Sequence, residues 1–303
     1  MSNPLEQVGL APLMELGAGN PEVMIGLIDG PVAASLPIFG AGRIREVSGT
    51  MKTDCKDVSS AACLHGTFIA GVLSAKRGLP APAICPGCAL LVRPIFAEPK
   101  TGENHSPSAT PGELARAIIE CVEAGARIIN LSVGLSQASM NGERELNQSL
   151  DQAALRGVVI VAASGNQGTL GSSAITRHPW LIPVVACDSR GNPTGQSNLG
   201  RSIGRRGLRA PGEHVVSLDG AGNRVTCGGT SVAAAFVTGA VALLWSEFDG
   251  ASATEIKFAV TQSYAPRRNT VVPPLLNAWE SYQFMNSSER RRRLWKNRHT
   301  IMS

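Results

Sequence analysis

Residues 111–133 read PGELARAIIECVEAGARIINLSV. The first fifteen carry apolar residues at helical spacing and stop on Gly125, the residue type that most readily ends a helix. The next eight are a short, continuous apolar run with little alternation, which reads as a strand buried on both faces. The same alternation extends in both directions. VMIGLI (23–28), ALLVRPI (89–95), GVVIVAAS (157–164) and LIPVVAC (181–187) are further strands bounded by Gly or Pro. HGTFIAGVLSA (65–75) and NGERELNQSLDQAALRG (141–157) are helices between them, and two more are predicted near 230–247 and 253–263. EHVVSLDGAGNRVTC (213–227) reads as a hairpin around a Gly-Asn turn. Apolar strands alternating with helices predict an α/β domain, a mostly parallel central sheet with helices on both faces. The expected organisation is an N-terminal extension over 1–19, one domain over 20–286 and a disordered basic tail over 287–303.

The chain has 303 residues and a formal charge of +5. That charge is local. Arg290, Arg291, Arg292, Arg293, Lys296 and Arg298, set against Glu289, account for all of it, so residues 1–286 are formally neutral. A nucleic-acid interface is therefore not expected on the domain. The tail reads as a solvated terminus or as a docking arm for an acidic partner. No apolar run reads as a membrane span, and the N-terminus lacks the basic and apolar regions of a secretory signal. Seven scattered cysteines, an odd number, suit a reducing cytoplasm better than a disulfide scaffold. The CPGC pair (85–88) has metal-like spacing but no second pair nearby, which favours a redox pair or two buried thiols over zinc.

In open parallel sheets, reactive groups gather beyond the carboxyl ends of the strands. Asp29 ends the first strand. His65 opens a helix of small residues, and Ser231 stands in GGTSVAAAFVTGAVALLW (228–245), at the mouth of a long apolar helix. Separately these are a turn aspartate, a packed histidine and a capping hydroxyl at Thr230 or Ser231. Together they are an orienting carboxylate, a base that titrates near neutrality and a hydroxyl in need of activation.

Four blocks, GLIDG around Asp29, HGTFIAG around His65, INLSVG with AASGNQG, and GGTSVAA around Ser231, give the chain a resemblance to the subtilisin-like serine peptidases, the subtilases, over roughly residues 20–285. PPLLNAW (273–279) is similar to the family's closing helix. The order Asp, His, Ser is that of subtilisin and not of chymotrypsin or the α/β-hydrolases. The resemblance implies a three-layer fold with Ser231 as nucleophile, His65 as general base and acid, and Asp29 as the group orienting His65. It also implies that Asn166 donates to the oxyanion with the Ser231 backbone N–H. Ser132, Val133 and Gly134 would pair with an extended peptide by strand addition, and Ala163, Ser164 and Gly165 would line the pocket for the residue before the cut. Thr230 is then expected to cap the helix.

The departures carry information too. Phe68 stands where the family has a second histidine, and Ala234, Ala235 and Phe236 where it has Ala-Pro-His; the second change is expected to concern packing and to remove none of the chemistry. AKRGLPAPAICPGC (75–88) holds no cluster of oxygen ligands, so calcium is not supported and no metal or cofactor is expected. Cys63 and Cys227, near His65 and Ser231 in sequence, are expected to be packing residues. Asp29 follows only 28 residues, too few for the folded pro-domain of secreted subtilases, which predicts a cytoplasmic enzyme of narrow substrate range. IDGPVAASLPIFGA (28–41) is similar to subtilase domains that mature ribosomally made peptides, notably the cyanobactin-maturation proteases. The 35 residues between Asp29 and His65 leave no room for the added helices of the cyclising type, so leader removal by hydrolysis is expected over macrocyclisation. A general degradative subtilase and an inactive peptide-binding relative are the competing readings.

Overall fold

A computed structural model describes residues 3–47, 54–96, 109–133, 140–262 and 269–300. Seven strands form one sheet: β1 (Met24–Asp29), β2 (Ile44–Glu46), β3 (Ala89–Pro94), β4 (Ile128–Leu131), β5 (Val159–Ala163), β6 (Ile182–Cys187) and β7 (Leu208–Pro211). Their order is β2-β3-β1-β4-β5-β6-β7, and every neighbouring pair is parallel. β8 (Val215–Leu218) and β9 (Arg224–Cys227) form the expected antiparallel hairpin. Helices α1 (Pro4–Gln7) and α2 (Leu10–Leu16) precede the sheet. Between its strands run α3 (Ala61–Ser74), α4 (Pro111–Glu123), α5 (Met140–Leu155), α6 (Ala174–Arg177) and α7 (Arg201–Arg206). After the hairpin come α8 (Thr230–Glu247), α9 (Ala253–Gln262) and α10 (Ala278–Thr300).

Period-two alternation divides the strand side chains between two apolar layers. Ile25, Leu27, Leu90, Val92, Ile128 and Val161 pack on one face with residues of α3 and α8. Ile28, Leu91, Ile129, Leu131 and Ile160 pack on the other with residues of α4 and α5. This is the three-layer α/β/α arrangement anticipated from the alternating runs. α8 shows why its sequence has no polar stripe: Thr230 through Trp245 are all buried, between the sheet, α3 and the terminal helices. Its 18 residues are apolar enough to cross a membrane by length and composition, although no such run was expected; 89% of the helix is inside the protein, as befits a core helix.

Other elements depart from expectation for identifiable reasons. α3 starts four residues before His65, because the Ser60 side chain accepts the Cys63 N–H and caps it there. The N-terminal segment set apart as an extension contributes Val8, Leu10 and Leu13, fully buried, to the core. The backbone of α10 runs through the basic segment to Thr300, where an irregular tail was expected. Cys55 and Cys63 form a disulfide, so Cys63 is not simply a packing residue and the cysteines are not all free. Scattered spacing hid the pair, since an eight-residue separation carries no signature of its own.

Candidate active site

The strand order reverses at β1, which has β3 on one side and β4 on the other. Chain connections lead away in opposite directions from that point, and in open parallel sheets the carboxyl ends of the strands there are where ligands bind. Asp29 is the last residue of β1 and is fully buried there. Its Oδ1 accepts hydrogen bonds from the Gly30 N–H and from His65 Nδ1, each at 2.6 Å. His65 sits in the second turn of α3, with its side chain 34% exposed. Its Nε2 lies 2.9 Å from Ser231 Oγ, at the second residue of α8. An ionised carboxylate only accepts, so the proton resides on Nδ1 and the Nε2 lone pair faces the serine hydroxyl. Burial works against a charged imidazole, but the Asp29 carboxylate outweighs it by charge and hydrogen bond and holds the His65 pKa above its ordinary value.

Close contact between β1 and α3 makes this geometry. A Cβ on Gly66 would come within 2.3 Å of the Pro31 carbonyl oxygen, and one on Gly30 within 2.0 Å of the Ala62 oxygen. Thr67 adds a polar tie, its Oγ1 accepting the Ala33 N–H at 2.9 Å. The Cys55–Cys63 sulfurs pack against the same hydroxyl. The disulfide thus closes the segment leading into the helix that bears His65.

Thr230 does not cap α8. The N-cap is Gly229, which makes no side-chain bond, and its φ of 123° and its closeness to Asn166 both suit glycine. Thr230 instead clasps the loop that carries Asn166: its backbone N–H and Oγ1 both donate to Asn166 Oδ1, at 2.9 and 3.0 Å. Its Oγ1 also accepts the Gly165 N–H at 3.2 Å. With Oδ1 occupied, the Nδ2 of Asn166 stands near Gly229, and no described residue accepts from it. The sequence pointed to Asn166 through its block but gave no sign that Thr230, in a separate block 64 residues away, holds it.

Ser132 and Val133 follow β4 directly, Ala163 ends β5, and Ser164 and Gly165 follow it. β4 and β5 are sheet neighbours, so these segments stand side by side at the carboxyl edge of the sheet. Gly134 lies outside the described residues. Phe68 and Phe236, the two phenylalanines at unexpected positions, are among the largest fully buried side chains. Each supports the core by roughly 1.5–3 kcal/mol and neither carries chemistry. Cys85 and Cys88 are free and buried; the hydrogen bond between them pushes the Cys85 thiol up and holds Cys88 down. Burial raises Cys121 and Cys187 to about 12. Among the described residues, no three His, Cys, Asp or Glu side chains cluster as metal ligands.

Chemically, the arrangement is a hydroxyl poised for deprotonation at a helix N-terminus, with an amide donor beside it. The comparisons agree. Subtilisin DY from Bacillus licheniformis is 30% identical over 244 residues, spanning 78% of this chain and 81% of that protein. A serine-to-alanine variant of the protease domain of PatA superposes with a TM-score of 0.79 at 27% identity, over 89% of this chain and 97% of that one. The prenylagaramide maturation protease PagA gives 0.76 at 26% identity, over 91% and 97%. The subtilase family model (Peptidase_S8) matches residues 21–279. A triad in subtilisin order, carried by a sheet and helices of subtilisin type, thus coincides with a family match over most of the sequence: the chain belongs to the subtilases, and it is a serine endopeptidase.

Proposed function

We propose that this peptidase matures a dedicated ribosomal precursor peptide by cutting off its leader. The observation that carries the reading is the likeness to PatA and PagA, whose names describe maturation proteases, over about nine-tenths of the chain. In the mechanism we assign, the peptide lies extended against Ser132 and Val133, with Gly134 beyond them, while Ala163, Ser164 and Gly165 form the opposite wall. Small side chains on that wall leave room for a bulky residue before the cut. Ser231 Oγ attacks the scissile carbonyl as its proton passes to His65 Nε2, and Asp29 stabilises the imidazolium. The oxyanion receives hydrogen bonds from Asn166 Nδ2 and the Ser231 backbone N–H. His65 then protonates the leaving amine, which departs with the C-terminal product. Water, deprotonated by the same imidazole, releases the acyl chain from Ser231.

Cytoplasmic action is part of the proposal, supported by the likeness to these maturation proteases and opposed by the disulfide. Blocking thiols at lysis and counting the free cysteines decides it: seven reactive thiols after unfolding favour the cytoplasm, and five favour an oxidising compartment. The substrate reading is tested by mass spectrometry of products from precursor peptides and from casein. One dominant cut at a leader boundary is expected. Many cuts of similar rate in casein would instead identify a degradative enzyme, a product lighter by one water a macrocyclase, and failure of Ser231 to react with a fluorophosphonate probe a peptide-binding relative.

A further inference from the structure

Two helical turns beyond Ser231 on α8, and on the same side of the helix, Thr238 places a hydroxyl where the rest of the helix is apolar. It is fully buried, and its Oγ1 donates to Asn130 Oδ1 at 2.8 Å. Asn130, equally buried on β4, turns its Nδ2 to Ser132 Oγ, also at 2.8 Å. Ile128, Asn130 and Ser132 alternate onto one face of the strand, the face that α8 covers. The chain of bonds therefore runs from the nucleophile helix through the sheet to the residue expected to meet the substrate. Ser132 is tied to the sheet only loosely otherwise, its backbone N–H reaching the Ile28 oxygen at 3.4 Å.

A core position that needed only volume would hold valine, which has the shape of threonine and no polar group to satisfy. Thr238 and Asn130 keep polar groups in the interior, where an unmade hydrogen bond is costly; Thr238 donates to Asn130, and Asn130 to Ser132. Reaction demands that attacking oxygen and carbonyl carbon meet at about 3–3.5 Å, and a misplacement of about 1 Å costs on the order of a hundredfold. α8 already fixes Ser231 through its backbone. We propose that Thr238 and Asn130 are positioning residues that fix Ser132 to the same helix, so that nucleophile and bound peptide share one frame of reference. The inference rests on the reading that the segment at Ser132 binds substrate by strand addition.

The test compares native enzyme with Thr238→Val, Thr238→Ala and Thr238→Ser, using short and extended peptide substrates and a fluorophosphonate probe that needs only the triad. Rates are expressed per titrated active site, so a partly unfolded preparation loses sites and not rate per site. For Thr238→Val and Thr238→Ala, kcat/KM on the extended peptide falls about tenfold, while probe labelling and short-peptide turnover stay within about threefold of native. Thr238→Ser, which keeps the donor, restores extended-peptide cleavage to within about threefold. Equal losses on all substrates, or no loss on any, would overturn the proposal. If native enzyme gains nothing from lengthening the peptide, strand addition itself fails and the premise goes with it. If it gains and Thr238→Val keeps the whole gain, only the positioning role fails.

Discussion

His65 shows how one ion pair sets opposite demands on activity and stability. The Asp29 carboxylate favours the imidazolium, so the free base needed to take the Ser231 proton is populated only above a pKa that lies higher than usual. The kcat/KM profile is accordingly expected to rise with pH on an acid limb whose midpoint lies above about 6.5. In Asp29→Asn, that midpoint moves down and the rate falls on the order of 10⁴-fold, as a rate–pH series would show. The stability contribution has the other sign. A raised folded pKa stabilises below the unfolded value, and this is lost as pH climbs through the folded one, so the pair supports the fold most where the enzyme is inactive. Asn166 gives a second expectation at this scale. Asn166→Ala should lower kcat by roughly 10²–10³. Thr230→Val, which removes only one of the two donors to Asn166 Oδ1, should cost about tenfold, with titrated sites unchanged in number. The meeting of Asp29, His65 and Ser231 was legible in the sequence because each lies in a short block at the carboxyl edge of the sheet. Thr230 was misread as a cap because its hydroxyl had two uses, and the choice between them depended on a loop more than sixty residues away.

At the level of elements, the alternating apolar runs foretold the central strands and the main helices. β2 and β7 escaped notice for the opposite reasons that edge strands do: β2 is short and largely exposed, and β7 carries an arginine and a proline. The contact of α3 with the turn after β1 was equally invisible, since Gly66 reads as one more small residue until the Pro31 carbonyl is set against it. That contact yields a sharp expectation. Gly66→Ala cannot be accommodated by a side-chain adjustment, because the atom in the way is backbone, so α3 must move off β1 and take His65 with it. A loss of about 1–3 kcal/mol in unfolding free energy is expected by denaturant titration. Activity per folded molecule should fall as well, which separates displacement of the base from simple destabilisation. A matching alanine at Gly42, where nothing lies within 4 Å, provides the control for helix-independent effects, although its φ of 70° adds a small local cost.

For the whole molecule, the fold class and the family could be anticipated, while the strand order, the disulfide and the packing of α1 and α2 could not. The last two depend on contacts between segments whose sequences carry no periodic signal. The disulfide is expected to matter chiefly through the unfolded chain: closing so short a loop contributes about 2–3 kcal/mol. Cys55→Ser combined with Cys63→Ser should therefore lower the unfolding free energy by that order, and a reducing agent should have the same effect on the native protein but none on the variant. The wide sequence spacing of the triad has a consequence in time. Asp29 and His65 are made early and Ser231 late, behind every strand of the main sheet and the hairpin. A chain still emerging from the ribosome holds a base and its carboxylate with nothing to activate. The three groups can meet only once α8 has docked against the sheet and α3, so assembling the site and closing the core are one event.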